Sequence, residues 1–374
     1  MRVLLTGGGT AGHINPALAI AETIKRNDPD AVIEFVGVRN GKEVDLVPRE
    51  GYRLHYVQVM GLRRSLSPAN VKALYLAWHS PRAKETLAIL DEFQPDIVIG
   101  TGGYASWPIM KAATVRGIPT AVHESNALPG KTVRRLQRSV NRIWINFPQT
   151  AQDLKAKEKI LQVGNPLRGG FGGLSREKAK EILGIDKDRL FVLSFGGSLG
   201  AEEVNRAVIL AMKTLSAKRP DVIHHHATGK RDYEASKAEY IAAGLSEHVG
   251  CILTDYIYDM PVRMAAADVV VSRAGAMTLS ELALMKKAAI LIPSPYVADN
   301  HQYRNAKTLA DADAACLVEE ATLAEGRLTE ALREMIENPI RRLRMEQRVT
   351  QFADAEANQR IWEDILRLTQ KNKE

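Results

Sequence analysis

A histidine follows three glycines at the start of the chain, in "MRVLLTGGGTAGHINPALAI". The glycines come after a short apolar run, and His13 stands where a helix should begin. Glycine lets the backbone pass close to a ligand, and the unpaired N–H groups of a helix start attract anions. An imidazole that titrates near neutral pH is suited to take a proton from an attacking hydroxyl. Gly7, Gly9 and Gly12 also satisfy G-x-G-x-x-G, the dinucleotide fingerprint. That reading wants an acid at the end of the second strand, and Glu34 in "VIEFVG" falls inside it.

Two further glycine turns close apolar runs: "GTGGYASWP" at 100–108 and "GGSLGA" at 196–201. One such turn can be a plain tight connection. Three, each at the carboxyl end of a strand, mark the edge where open α/β sheets bind ligands. Polar stretches follow other strands: "HESNALPG" at 123–130, "SRAGAMTLSE" at 272–281 and "ADNHQYRNA" at 298–306. Thr278 and Glu281 have capping-box spacing, which predicts a helix start at Thr278. The carboxylate of Glu281 could equally accept hydrogen bonds from a pair of sugar hydroxyls. The "HHH" at 224–226 lies in an apolar run. Neighbouring strand residues point to opposite faces, so the three make a poor metal site and read as structural.

The elements that must position these residues alternate along the chain. Short β-rich runs ("RVLLT", "AVIEFVG", "DIVIGT", "PTAVHE", "RIWIN", then "LFVLSFG", "VIHHHATG", "CILTDYI", "DVVVSR", "AAILIP") are separated by longer amphipathic segments. That pattern indicates βαβ units and parallel sheets. Two series in a chain of 374 residues predict two doubly wound α/β domains. The Gly-rich "VGNPLRGGFGGLS" at 163–175 reads as the joint. The expected division is 1–163 and 164–344, with a C-terminal helix of about 345–374 packing back on the first domain.

Composition narrows the function. Hydrophobic residues make up 45% and charged residues 25%, as in soluble globular proteins. No apolar run reaches the ~20 residues of a membrane helix, and no signal-peptide core is present. The two cysteines lack metal-ligand spacing and read as core thiols of a reducing compartment. The net charge of +7 points to an anionic partner. Lys131, Arg134, Arg135, Arg138 and Arg142 crowd one stretch without an acid.

Taken in order, "GGTAGH", "GTGGYASWP", "HESNALPGKTVR", "VGNPLR", "SFGGSLGA", "SRAGAMTLSE" and "NHQYRNA" resemble the bacterial N-acetylglucosaminyltransferases that convert lipid I to lipid II in peptidoglycan synthesis. The resemblance covers essentially the whole chain. Two positions depart from it: Ala11 stands where that family usually has glycine, and Ser125 where it often has glutamine.

The resemblance implies a GT-B fold, two Rossmann-like domains facing a cleft. It implies UDP-N-acetylglucosamine as donor and an undecaprenyl-diphosphate-linked acceptor, with inversion at the anomeric carbon, no cofactor, no metal and no nucleic acid. Ser198 would face the donor diphosphate and the Ile257 backbone would bind uracil. Ala276, Met277, Thr278, Leu279, Ser280 and Glu281 would hold diphosphate and ribose, and Gln302 and Asn126 would touch the sugar. Thr10, Ala11, Gly12 and Arg168 would complete the donor site. The acceptor would lie near Gly102, Gly103 and Tyr104. His13 is the expected general base, with Glu124 as the alternative. Apolar and basic residues interleave at Leu62, Arg63, Arg64, Leu66, Leu74 and Trp78, and with Arg134 and Arg135 they suit an anionic membrane surface. The implied location is the cytoplasmic face of the bacterial cell membrane, with other cell-wall enzymes as further partners. The competing classes are a UDP-N-acetylglucosamine 2-epimerase or another GT-B lipid glycosyltransferase, a nicotinamide oxidoreductase and a non-catalytic sugar-binding protein.

Overall fold

A computed structural model describes residues 1–60, 68–197 and 200–370. The chain divides into two compact units, one of Met1–Gly169 with Ala355–Glu374, the other of Gly170–Asp354. The boundaries therefore fall about six and ten residues later than the sequence suggested. Leu167 exchanges two hydrogen bonds with Asn358 (3.0 and 2.8 Å), which keeps the glycine-rich approach in the first unit. The helix Pro339–Val349 stays with the second unit because Met345 is buried in that core.

The first unit is built on strands β1 (Arg2–Thr6), β2 (Val32–Gly37), β3 (Arg53–Tyr56), β4 (Ile97–Gly100), β5 (Thr120–Glu124), β6 (Arg142–Ile145) and β7 (Ile160–Gln162). All pair in parallel, in the order β3-β2-β1-β4-β5-β6-β7. The central strands are apolar on both faces because helices cover both, as a parallel sheet requires. Val3 and Leu5 face a core shared with helix α1 (Ala11–Asn27) and the C-terminal helix Ala357–Gln370; Leu4 faces the other. Asp364 of that last helix is fully buried and accepts from Trp144 Nε1 (2.8 Å) and Arg142 Nε (2.9 Å). β2 leads into α2 (Glu43–Arg49), and α3 (Pro68–His79) precedes β4. Glu34 is the third residue of β2 and pairs with His55 on β3, so the ribose acid of a dinucleotide site is not there.

The second unit repeats the plan with β8 (Leu190–Phe195), β9 (Val222–Ala227), β10 (Cys251–Thr254), β11 (Val269–Ser272), β12 (Ala289–Leu291) and β13 (Cys316–Leu317). The order is β10-β9-β8-β11-β12-β13, again all parallel. The triple histidine lies in β9. His224 and His226 share the Ser194 hydroxyl (3.0 and 2.9 Å), while His225 faces Thr254 and Arg263.

Burial, the largest cause for each, lowers the three imidazoles from about 6.5 to about 3, about 3 and about 4. Above pH 6.5 folded and unfolded states both hold them neutral. Below it the unfolded chain binds protons that the folded unit refuses, so stability falls with falling pH down to those values. Each histidine steepens the loss by up to about 1.4 kcal/mol per pH unit. The histidine contribution to the urea midpoint should thus be flat above pH 7 and fall steadily between pH 6 and 4. His226→Gln should flatten that slope; an unchanged slope would show that the histidines do not drive the acid sensitivity.

Candidate active site

In each sheet the strand order reverses once, between β1 and β4 and between β8 and β11. Ligands of open α/β sheets bind at the carboxyl ends beside such a reversal. In the first unit that edge gathers the turn after β1, the turn after β4 and the end of β5. The two glycine turns interlock. Gly102 and Gly103 have φ of +92° and +77°, and a Cβ on Gly103 would come within 2.3 Å of the Gly8 carbonyl oxygen. A Cβ on Gly102 would lie 3.0 Å from His13 Nδ1, so these glycines make room for the imidazole. Tyr104 packs against Gly9.

His13 is anchored by its Nδ1, 3.0 Å from the Thr101 carbonyl oxygen. A carbonyl can only accept, so Nδ1 carries the hydrogen and Nε2 of the neutral ring keeps its lone pair. Burial lowers the pKa of His13, against smaller raising effects of the Thr101 carbonyl and of Glu43. The ring is therefore largely neutral at pH 7, with Nε2 available as a base. Thr101 Oγ1 also donates to the His13 carbonyl at 2.5 Å, tying the start of α1 to the end of β4. α1 begins after Thr10, whose side chain makes no capping hydrogen bond, and its first turn has no acid. Its positive end therefore presents Ala11 and Gly12 to an anion.

Glu124, the alternative base, is 3% exposed and holds its own loop. Its oxygens accept from Asn126 N (3.0 Å), Asn126 Nδ2 (3.0 Å) and Gly130 N (2.7 Å). This fixes Asn126 at the end of β5, and Ser125 Oγ lies 3.3 Å from His123 Nδ1. Arg168 is not gathered with Thr10–Gly12. Its guanidinium forks onto Glu50 (2.9 and 2.7 Å) and reaches Glu22, eleven residues or about 16 Å further along α1.

The second unit assembles its edge likewise. Ser198 lies outside the described residues, but Gly200 beyond it has φ +87° and no room for a side chain beside the Thr228 carbonyl. The helix Ala276–Leu284 starts after Gly275, not at Thr278, and has neither a side-chain cap nor an acid in its first turn. Thr278 is thus a third-position residue inside the helix, and the capping box is absent. The loop before it is pinned by buried Asn305, whose Nδ2 donates to Ala274 O at 3.4 Å. Glu281, freed of a capping role, makes no side-chain hydrogen bond or ion pair among the described residues. Burial alone pushes its carboxyl up to about 7. Leu279 is 2% exposed, so its side chain belongs to the core and only its backbone can serve a ligand. Met277, Thr278 and Ser280 are half-buried. Gln302 Oε1 accepts from Ser294 N at 2.9 Å, which sets its amide beside the end of β12. Ile257 is buried between Tyr256 and Tyr258, whose rings flank Lys230 Nζ at 5.6 Å each.

Comparison with known proteins settles the class. The Glycosyltransferase family 28 N-terminal domain matches residues 3–145, and the Glycosyltransferase family 28 C-terminal domain matches residues 191–361. A UDP-N-acetylglucosamine--N-acetylmuramyl-(pentapeptide) pyrophosphoryl-undecaprenol N-acetylglucosamine transferase of Desulforamulus reducens is 40% identical over 341 residues, 90% of this chain and 91% of the relative. The chain belongs to glycosyltransferase family 28. Among solved structures this family 28 enzyme is similar to MurG of Acinetobacter baumannii, with 26% identity, a TM-score of 0.75 and coverage of 98% and 99% of the two chains. A UDP-GlcNAc 2-epimerase of Neisseria meningitidis, solved with UDP-GlcNAc, shares 14% identity at a TM-score of 0.64 over 98% of this chain and all of that one. That likeness is one of fold. The fold of the family 28 enzyme is therefore GT-B, with two parallel-sheet α/β units.

Two groups at this site escape sequence reasoning. Thr101 anchors His13, and Glu43 lies beneath the first glycine turn, accepting from Gly9 N at 3.0 Å and Val38 N at 2.9 Å. The only hint of Glu43 is its place at the end of "VGVRNGKE", where an acid closes a stretch with two glycines. Because its carboxylate takes the Gly9 N–H, that N–H is not offered to a phosphate.

Proposed function

We propose that this enzyme transfers N-acetylglucosamine from UDP-N-acetylglucosamine to the muramoyl 4-hydroxyl of undecaprenyl-diphospho-N-acetylmuramoyl-pentapeptide, giving lipid II. The acceptor oxygen bonds to the anomeric carbon from the face opposite UDP, the bond to the phosphate oxygen breaks, and the configuration inverts. The hydroxyl proton passes to His13 Nε2. The single observation that carries this reading is the seat of His13, whose Nδ1 lies 3.0 Å from the Thr101 carbonyl oxygen at the strand-order reversal, which leaves Nε2 as the ring's basic position. Glu124 braces the Asn126 loop. The Ala276–Leu284 helix start would receive the diphosphate, Glu281 the ribose hydroxyls and the Ile257 backbone the uracil. Helix-end N–H groups suit the charge that grows on departing UDP without a metal.

Radiolabelled UDP-N-acetylglucosamine with and without lipid I tests the reading. Label should enter a lipid product only when lipid I is present. Conversion of the donor without acceptor would favour the epimerase.

The acceptor's lipid tail requires a membrane approach, and the first unit has the surface for it. On α3, Val71, Leu74, Tyr75 and Trp78 are exposed, Trp78 by 70%. Trp107 Nε1 donates to Ala77 O, and Lys111 Nζ reaches Ser139 Oγ, so the helix Trp107–Val115 joins α3 to the basic stretch carrying exposed Arg134 and Arg135. Leu62, Arg63, Arg64 and Leu66 lie outside the described residues. No helix among the described residues is long and apolar enough to cross a membrane; the proposed association is peripheral, through this exposed apolar and basic surface, at the cytoplasmic face. Each cation near an anionic surface contributes roughly 1 kcal/mol, screened over about 8 Å at physiological salt. Arg134→Glu with Arg135→Glu should weaken binding to anionic vesicles about tenfold or more. Trp78→Glu should remove the part of binding that resists salt. Both should slow turnover of the natural lipid more than that of a short-chain soluble acceptor. Equal losses on both acceptors would refute membrane docking at this face.

A further inference from the structure

We propose that Glu43 is a positioning residue for the transfer, its buried carboxylate locking the first glycine turn against the turn that seats His13. This rests on His13 being the base. Glu43 opens α2 and is 1% exposed. Its two oxygens take the backbone N–H of Val38 and of Gly9, at 2.9 and 3.0 Å, and so bridge the carboxyl ends of β2 and β1. Three glycines are shaped around it. A Cβ on Gly8, Gly37 or Gly41 would come within 2.3, 2.4 or 2.1 Å of Glu43 atoms. Burying a carboxylate is costly even when it is hydrogen-bonded, so a chain needing only a filled space here would do better with an apolar side chain.

The contacts lead straight to the base. Gly8 touches Gly103, and Gly102 and Gly103 line the His13 ring. Releasing Gly9 therefore loosens the stack that holds the imidazole. Among the titratable groups that respond to the Glu43 charge are His13 on α1 and Tyr104 after β4. Arg39, in the loop before α2, lies over the Tyr56 ring. An anion near His13 favours the imidazolium that forms as the acceptor hydroxyl loses its proton.

Glu43→Gln keeps the shape but removes the charge and turns N–H donors toward one of the two backbone N–H groups. We expect kcat to fall about tenfold from misplacement of the base, with donor KM unchanged. The acid limb of kcat should move to lower pH. The His13 ring titration, followed by NMR and assigned by its loss in His13→Asn, should move the same way. Gly41→Ala is a second route, since its methyl would displace the same carboxylate at the movable end of a side chain; it should reproduce the kcat loss and the shift. A Glu43→Gln enzyme with wild-type kcat and an unmoved His13 titration would overturn the proposal. A His13 titration that moves while the kcat limb stays would instead remove His13 as the base, and the proposal with it.

Discussion

Replacing His13 by alanine should lower kcat by about 10²–10⁴-fold, the usual contribution of a general base. The loss should appear at saturating donor, because the groups proposed to hold UDP lie in the second unit. The acid limb of the kcat–pH profile should vanish. In the wild type that limb lies below the ordinary imidazole range, since burial lowers the pKa of His13. The sign is set by the base: below its pKa the ring is protonated and rate is lost, above it the ring is neutral and rate is kept. A limb that persists in His13→Ala would transfer the role to Glu124, whose carboxylate accepts from Asn126 and Gly130 of its own loop. Glu124→Gln would then abolish the limb.

Replacing Glu281 by glutamine should raise donor KM on the order of a hundredfold, if a charge-assisted bond to each ribose hydroxyl contributes roughly 1.5–3 kcal/mol. The apoprotein should respond in the opposite direction. A carboxyl held at about 7 by burial, against 4.5 in the unfolded chain, costs stability as pH rises through that interval. Its removal should therefore stabilise the unliganded enzyme, by up to about 3 kcal/mol above pH 7. The carboxylate form is the hydroxyl acceptor, so kcat/KM for the donor should rise with pH through about 7, and this limb should disappear in Glu281→Gln. A lower Tm with an unchanged KM would show that Glu281 serves the helix and not the donor. The limb in donor kcat/KM and the limb in kcat thus report different residues.

Much of this was legible because parallel sheets write themselves in apolar runs. "VLLT", "IVIG" and "DVVVS" are buried on both faces and could be little else. β3 was not legible: "RLHY" lies at a sheet edge, half-exposed, with polar residues that break the run. β13, of two residues, is too short to leave a pattern. His13 and Gly102 could be paired by reasoning because each follows a strand and parallel strands end at one edge. Glu43 could not, because its role depends on β1 and β2 lying side by side. The spacing of Thr278 and Glu281 fits a helix start and a helix interior equally well. The Asn305 contact to Ala274, distant in sequence, accompanies the loop that settles the matter. The partners of Arg168 were hidden for a similar reason, since Glu22 and Glu50 reach its charge from elements far off in the chain.

The helix Ala357–Gln370 belongs to the first unit yet is made only after the whole of the second. At about 5–20 residues per second a ribosome needs roughly 10–40 s to synthesise the intervening unit. For that interval the nascent first unit waits with the seat of Ile361 and Ile365 empty and the Trp144 indole without the carboxylate of Asp364. The second unit, contiguous in sequence, can close as soon as it emerges. The birth order of the two units is thus reversed with respect to their order of completion, and the nascent first unit is the species that a chaperone would meet.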